Sequence, residues 1–169
     1  MITFGIDPGL SGAIAAINQH GECIGLYDLP VIRDKSLAWI DGDELRSSIC
    51  AVLEQCNNRA SRFVIERVSA MPKQGVSGVF TFGMTFGSIL GALRSQGYPI
   101  EFVTPRVWKA ALGLTGKADG PTAAKRAALH KARLLFPTAD LSLAKHEGRA
   151  EALLIAHWAQ RYQFAKEAA

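Results

Sequence analysis

Four acidic residues stand out at strand ends and at the start of a predicted helix, although the helix dipole alone also favours acids in a first turn. Asp7 follows the apolar stretch "ITFGI" and precedes a Pro-Gly turn, and Glu66 lies inside "FVIER". Glu147 and Glu151 open an Ala- and Leu-rich stretch, and their spacing places them on one face of a helix, where like charges repel. A carboxylate in an apolar pattern is costly unless it is paired or binds a metal. These residues are therefore candidates for chemistry.

Carboxylates gathered together, without a cluster of cysteines or histidines, indicate a hard divalent cation. Mg²⁺ prefers oxygen ligands and keeps several waters, so a few acids and a phosphate group complete its coordination. Two such ions about 4 Å apart activate water and stabilise the leaving oxygen of a phosphodiester. The alternative for any one acid is a buried ion pair, for which Arg67 and Arg149 are available. Taken together, the acids predict metal-dependent chemistry on a phosphate ester.

The elements that position these acids follow from hydrophobic periodicity. Three short strands are predicted first, at "ITFGI", "GAIAAIN" and "ECIGLYDL", and two more at "RFVIERV" and "PIEFVTP". The stretch from Pro30 to Ala38 is expected to be a loop, and helices are expected at 41–56, 80–97, 105–114, 122–136 and about 147–165. This order predicts an α/β fold with a mixed five-stranded sheet, a three-strand meander plus two further strands, flanked by helices. The length fits one domain over residues 1–169.

Glycines recur every four residues in the predicted middle helix. Gly83, Gly87 and Gly91 therefore lie on one face, although each glycine costs about 1 kcal/mol in a helix interior. The expected gain is the close approach of another backbone. That backbone belongs either to the sheet or to a second subunit.

Charge is unevenly distributed along the chain. The net charge is +4, and between Pro105 and Arg149 nine basic residues face three acidic ones. A basic C-terminal third beside clustered carboxylates is typical of a nuclease, because lysine and arginine bind phosphates. A solvated helix face is the alternative explanation.

Signals for a cellular compartment are few. The three cysteines show no C-x-x-C spacing, which is typical of reduced thiols. The N-terminal residues lack the pattern of a signal peptide, and no run reaches the roughly 18 apolar residues that span a bilayer. We therefore expect a cytoplasmic protein without a membrane partner.

Four stretches of the chain resemble those of the RuvC-type Holliday junction resolvases, in particular the compact versions of bacteriophages and related bacteria. They are "GIDPGLSGAIA", "VIERVSAMPKQGVSGVFTFGMTFGSILGAL", "VTPRVWKAALGL" and "KHEGRAEALLIAHWA", in the family's order. The resemblance implies a ribonuclease-H-like fold, a homodimer and an endonuclease that cleaves four-way DNA junctions with Mg²⁺ or Mn²⁺. It also implies paired nicks with 5′-phosphate and 3′-hydroxyl ends, in a bacterial or phage-infected cell.

The resemblance assigns the metal ligands residue by residue, with one departure. Asp7, Glu66 and Glu151 match the family's acids of the first strand, the fourth strand and the C-terminal helix. Many relatives place a fourth acid three residues before the last, where this chain has Gly148. Glu147 is favoured as the replacement because it shares a helix face with Glu151. His146 is the alternative, as a ligand or as a general acid or base.

The resemblance also suggests residues that contact DNA. Lys117, Lys125 and Arg126 occupy the family's basic region, and Lys73 lies in the loop that follows Glu66. Such side chains supply sequence-independent affinity for the phosphate backbone.

An aromatic residue near the start of the middle helix is expected to stack at the branch point of the junction. Phe80 is favoured for this contact, whereas Phe82 is expected to be in the core. Lys109 beside Trp108 is either a further phosphate contact or a surface residue over a buried indole.

Other functional classes remain as alternatives. One is a nuclease of the same fold that cuts branched or flap DNA more broadly, or RNA–DNA hybrids. Another is a nucleotide-binding protein of the actin and sugar-kinase type, which needs two such domains and would leave the C-terminal acids without a role. The last is a junction-binding module without catalysis, for which Gly148 is the only indication.

Overall fold

A computed structural model of the protein describes residues 1–35, 37–57, 60–67, 69, 75–114 and 120–163. Its elements in chain order are β1 (Ile2–Asp7), β2 (Ala13–Ile17), β3 (Cys23–Asp28), β4 (Val31–Asp34), β5 (Leu37–Ile40), α1 (Gly42–Gln55), β6 (Ser61–Glu66), α2 (Val76–Ser95), β7 (Ile100–Val103), α3 (Pro105–Ala111), α4 (Pro121–Leu135) and α5 (Glu147–Trp158), with a π-helical turn at Ala159–Gln163.

The main sheet has five strands in the order β3-β2-β1-β6-β7. Strands β1, β2 and β3 form an antiparallel meander, while β6 pairs in parallel with β1 and β7 pairs in parallel with β6. The predicted mixed five-stranded sheet is therefore confirmed. The register that pairs Ile6 with Ile65 places Asp7 and Glu66 at the adjacent ends of β1 and β6.

The two faces of this sheet have different partners. Phe4, Ile6 and Ile65 belong to a buried cluster with α1 and α2. Ala15 and Val64, which point to the opposite face, are buried against α3, α4 and α5. Because side chains alternate along a strand, Asp7 and Glu66 also face the layer that contains α5. Strand periodicity thus directs both acids toward the helix that carries Glu151.

Helix α5 lies unusually close to β1. A Cβ atom built on Gly5 would overlap the carbonyl oxygen of Ala152 and the amide nitrogen of Ala156, both in the backbone of α5. Ala152 and Ala156 are themselves fully buried. Small side chains on both elements therefore set the distance between the helix and the sheet, and with it the distance between Glu151 and the acids of the strands.

The expected loop from Pro30 to Ala38 is wrong, because β4 and β5 form a two-stranded hairpin there. Val31 pairs with Ile40 and Asp34 with Leu37. The sequence signal was weak because the turn lacks glycine, and Lys35 itself adopts a left-handed conformation with φ of 50°.

The ends of two helices also differ from the expectation. Helix α2 begins at Val76 instead of residue 80, and α5 ends at Trp158, where a π-helical turn follows. Helix α1 begins as expected from its acids: Asp41 caps it, and its carboxylate accepts hydrogen bonds from the amides of Asp43 and Glu44 at 3.0 and 3.1 Å.

The glycine face of α2 does not pack on the sheet, so that explanation for its spacing is wrong. A Cβ atom on Gly83, Gly87 or Gly91 would meet nothing within 4 Å among the described residues. The buried positions of α2 are Thr85, Ile89 and Leu93, on the other side of the helix.

Helix α2 is also long and apolar enough to cross a membrane by length and composition alone, with a mean hydropathy of 1.6 over its most apolar window. It passes this average although polar residues and glycines interrupt its apolar runs. One such helix is weak support for a membrane span, but α2 does present an exposed apolar surface.

Replacing Gly5 with alanine tests the close approach of α5 to β1. Gly5→Ala should lower the free energy of unfolding by about 3 kcal/mol or more, because overpacking against backbone atoms forces the two elements apart. Urea denaturation of both proteins measures the difference.

The matched control is Gly75→Ala, where the added Cβ meets nothing within 4 Å of the described structure. This variant should stay within about 1 kcal/mol of the wild type. Equal losses in the two variants would contradict the close approach at Gly5.

Candidate metal centre

Three carboxylates from distant parts of the chain meet at one end of the sheet. Asp7, Glu66 and Glu151 each offer a carboxylate oxygen, and these atoms all lie within 4.8 Å of one another. Asp7 ends β1, Glu66 ends β6 and Glu151 lies in the second turn of α5. We call this group the acid cluster. The acid cluster consists of the three acids that both the hydrophobic pattern and the family resemblance identified as candidate metal ligands.

The acid cluster is electrostatically strained. Burial, followed by the negative charges of Glu151 and Glu66, raises the pKa of Asp7 from 3.8 to about 8. Burial also raises the pKa of Glu66, while a hydrogen bond from Trp108 opposes that shift. Burial and mutual repulsion therefore disfavour the simultaneous ionisation of these acids.

Among the described residues, one lysine and one indole contact the acid cluster. Lys109 Nζ lies 2.9 Å from Glu151 Oε1. Trp108 Nε1 donates a hydrogen bond of 2.8 Å to Glu66 Oε1.

The arginines proposed as alternative partners are engaged elsewhere or exposed. Arg149 binds both oxygens of Asp28, at 2.6 and 2.9 Å, and Asp140 Oδ2 at 2.6 Å. Arg67 is exposed at the end of β6. The acid cluster is thus not explained by buried ion pairs with these arginines.

Glu147 lies at the edge of the acid cluster, outside the group of three. Its Oε2 is 2.9 Å from Lys125 Nζ. That hydrogen bond raises the pKa of the Lys125 ammonium, and the charges of Glu151 and Asp7 add to the effect. Lys125 therefore lies within electrostatic reach of the acids, and Glu147 is held beside them by this lysine.

His146 faces away from the three acids. It is buried, with 6% exposure, and its Nδ1 lies 3.8 Å from Asp140 Oδ1 without a hydrogen-bond partner among the described residues. Asp140 belongs to the ion-pair group of Arg149, not to the acid cluster. Glu147 thus contacts a lysine that the charges of Glu151 and Asp7 also influence, whereas His146 lies against Asp140, and the role predicted for either residue stays a prediction.

The position of the family's fourth acid is closed to any side chain. A Cβ atom on Gly148 would overlap the carbonyl oxygen of Ser11 and lie 2.9 Å from the Cα atom of Gly12. The first turn of α5 therefore packs directly on the turn between β1 and β2. An oxygen ligand near this point has to come from a neighbouring position.

The residues predicted to contact DNA are placed in part. Lys125 and Arg126 are exposed on α4. Phe80 is 59% exposed near the start of α2, whereas Phe82 is half-buried with its ring 6.1 Å from that of Phe86. Lys73 and Lys117 lie outside the described residues.

The sequence reasoning missed the role of Trp108 and left Lys109 open. The lysine ammonium lies 4.9 Å from the centre of the Trp108 ring, so Lys109 does lie over a buried indole. It also contacts Glu151, which the sequence gave no means to see. The available signal was the adjacent Trp-Lys pair in the helix that follows β7.

The donor set of the acid cluster fits a hard divalent cation. All three ligands are carboxylates, which Mg²⁺ and Mn²⁺ prefer, and the raised pKa of Asp7 shows negative charge that a cation would compensate. Three carboxylates leave coordination positions for water and for a phosphate oxygen. The site is therefore suited to phosphate chemistry.

The pKa of Asp7 makes stability depend on pH. In a chelator, wild-type stability should fall as pH rises from about 4 to about 8, because the folded protein holds the proton of Asp7 in that range and the unfolded chain does not. Asp7→Asn stays neutral, so it should be increasingly more stable than the wild type across this window. Thermal unfolding at several pH values measures the gap.

Saturating Mn²⁺ provides the control for this prediction. A cation bound to the native state stabilises the wild type and should narrow or reverse the gap. A stability difference between the two proteins that does not vary between pH 4 and 8 would contradict the raised pKa of Asp7.

Comparisons with known proteins agree with this fold. No protein-family model matches the chain. Over 97 residues, which make up 56% of this chain, the sequence is 40% identical to "Holliday junction resolvase MOC1, chloroplastic" of Chlamydomonas reinhardtii. The match covers only 10% of that relative, so this chain spans about a tenth of its length.

Three solved structures share the architecture. Thermus thermophilus RuvC in complex with a Holliday junction substrate has a TM-score of 0.59 at 16% identity, covering 99% of this chain and 96% of that one. Thermus thermophilus RuvC alone gives 0.54 at 18% identity, covering 99% and 97%. The yeast mitochondrial Holliday junction resolvase Ydc2 gives 0.50 at 14% identity, covering 98% and 80%. The predicted resemblance to RuvC-type proteins and their ribonuclease-H-like fold is confirmed.

Proposed function

We propose that this chain, which has the fold of RuvC, is a structure-selective endodeoxyribonuclease that resolves four-way DNA junctions by metal-dependent hydrolysis. The observation that carries the proposal is the meeting of Asp7, Glu66 and Glu151 within 4.8 Å at the ends of β1 and β6 and on α5. The identity of 40% with a curated junction resolvase supports the choice of substrate.

The acid cluster holds the catalytic ions in this proposal. Asp7, Glu66 and Glu151 bind Mg²⁺ or Mn²⁺, two ions per site, with Glu147 as a further ligand that Lys125 holds nearby. The ions supply a polarised water and stabilisation of the leaving 3′ oxygen. Cleavage of the bond between phosphorus and the 3′ oxygen leaves 5′-phosphate and 3′-hydroxyl ends.

Lysines next to the acid cluster bind the scissile strand. Lys109 is partly exposed and Lys125 is more than half exposed, and each reaches the acids from the protein surface. Their ammonium groups contact phosphate oxygens when the strand enters, and Arg126 extends the same basic face of α4. Phe80 lies exposed at the start of α2, where it stacks on an unpaired base at the branch point.

A homodimer explains the exposed face of α2. Val76 is 87% exposed, and the exposed Gly83, Gly87 and Gly91 lie further along the same face of α2. Exposed apolar surface of this extent marks an interaction site, and the glycines let a second helix approach closely. Two copies joined through α2 would present two acid clusters, one for each of two opposed strands.

Removing any one acid should abolish cleavage without loss of junction binding. Glu66→Gln and Glu151→Gln keep the side-chain shape and delete the charge that binds the ion, whereas phosphate contacts use other residues. Cleavage of four-way, flap, hybrid and linear substrates in Mg²⁺ and Mn²⁺, with mobility-shift binding in Ca²⁺, measures both properties.

Glu54→Gln, at an exposed site on α1, is the matched control and should cut at the wild-type rate. Full activity of Glu151→Gln would exclude the assigned cluster. Preference for RNA–DNA hybrids over four-way junctions would favour the broader nuclease. A wild type that binds junctions but cuts none would favour a binding module.

Introducing a charge on the glycine face should separate the dimer. Gly87→Arg buries an unpaired charge in the proposed interface, so sedimentation should show a monomer that is still folded. Ala51→Arg, on the exposed surface of α1, is the control and should remain dimeric. A monomeric wild type at the concentrations of the cleavage assay would contradict the interface.

A further inference from the structure

Trp108 is a buried side chain that contacts the acid cluster from the protein interior. Its indole is completely buried in α3, and its Nε1 lies 2.8 Å from Glu66 Oε1. Glu66 is itself only 6% exposed. The two residues are 42 positions apart, so the contact depends on the packing of α3 against the end of β6.

The chemistry of the indole limits what this contact does. Its N–H is a hydrogen-bond donor only, so it neither ligates a metal nor accepts a proton. Toward a buried carboxylate it compensates lost hydration and fixes the orientation of the group. The bond uses one oxygen of Glu66, and a carboxylate has a second oxygen with which to ligate a cation.

The ring face of the same side chain carries a second contact with the site. Lys109 Nζ lies 4.9 Å from the ring centre, a cation–π distance, and 2.9 Å from Glu151 Oε1. The N–H edge of Trp108 thus contacts Glu66 directly, while its ring face contacts Lys109, which in turn pairs with Glu151. A buried indole N–H needs a hydrogen-bond partner, and here the partner is an acid of the cluster.

We propose that Trp108 is a positioning residue for the metal centre, holding Glu66 in the orientation that ligates the ion and steadying Lys109 beside Glu151. The inference rests on the proposed function, because it assumes that the acid cluster binds a divalent cation. Partners of metal ligands act in this way, and their loss costs about 10- to 100-fold in metal affinity or activity.

Trp108→Phe tests the inference because it keeps an aromatic ring and deletes the N–H. The concentration of Mn²⁺ at half-saturation should rise by about 10-fold or more, measured from the free-ion signal in electron paramagnetic resonance. Cleavage at saturating Mn²⁺ should recover toward the wild-type rate, since the three acids remain. Wild-type Mn²⁺ affinity in a folded variant would overturn the inference, even if its melting temperature fell.

Trp158→Phe is the matched control. Trp158 packs against the core two helical turns beyond Glu151 on α5. The same loss of ring size at that site should leave the Mn²⁺ half-saturation unchanged. An equal rise in both variants would overturn the specific role of Trp108.

The wild-type protein provides a readout that needs neither activity nor the phenylalanine variant. The chain has three tryptophans, so its indole N–H resonances are few, and single replacements of Trp39 and Trp158 assign the third to Trp108. That resonance should shift in Glu66→Ala and on titration with Mg²⁺. If the Trp108 resonance shifts neither in Glu66→Ala nor on titration with Mg²⁺, the inference is overturned.

Failure of the proposed nuclease function would be distinguishable from failure of the positioning role, because the two predict different combinations of metal binding and cleavage. If the wild type binds Mg²⁺ with a shift of the Trp108 resonance but cuts no branched DNA, the nuclease assignment fails. The positioning role is then supported on its own measurement.

Discussion

The distance between α5 and β1 is the constraint on which the site depends. Gly5 leaves no side chain between the two backbones, and the alanines of α5 that face it are equally small. A side chain at position 5 would push the backbone of α5 away from β1 and displace Glu151 relative to the acids on the strands. The close contact brings a carboxylate oxygen of Glu151 within 4.8 Å of those of Asp7 and Glu66.

Gathering three carboxylates creates a cost that the rest of the site partly offsets. The pKa of Asp7 is raised to about 8, so this carboxyl group keeps its proton at neutral pH. Glu66 accepts a hydrogen bond from an indole, and Glu151 pairs with Lys109. Each device reduces repulsion without filling the space between the oxygens with another side chain. The acids are therefore brought together by the close packing of α5 on β1, in a group of carboxylate oxygens that suits a divalent cation.

The acids could be found from sequence because each breaks a simple pattern. Asp7 and Glu66 interrupt apolar strands, and Glu151 lies on the buried stripe of a helix, so their cost was visible without coordinates. The five-stranded sheet followed from strand periodicity, whereas the β4–β5 hairpin was missed because its turn uses Lys35 in place of glycine.

Contacts between distant elements were beyond the reach of sequence patterns. An aromatic residue such as Trp108 looks the same whether its N–H faces Glu66 or a backbone carbonyl. The glycines of α2 predicted the close approach of another backbone, but only the packing of Ile89 and Leu93 on the opposite side showed that the glycine face does not lie against the sheet. The contacts of Glu147 with Lys125 and of His146 with Asp140 were likewise beyond prediction from the sequence.

The contact of Gly148 with the turn after β1 restricts how this site can evolve. A carboxylate at 148 would require the Ser11 carbonyl to retreat, and that turn is itself held by Gly12, whose absent Cβ would overlap the Asp7 carbonyl oxygen. A side chain at 148 is therefore tolerated only if the turn after β1 moves away from α5. The acid at 147 needs no such movement, because the carboxylate of Glu147 lies against Lys125.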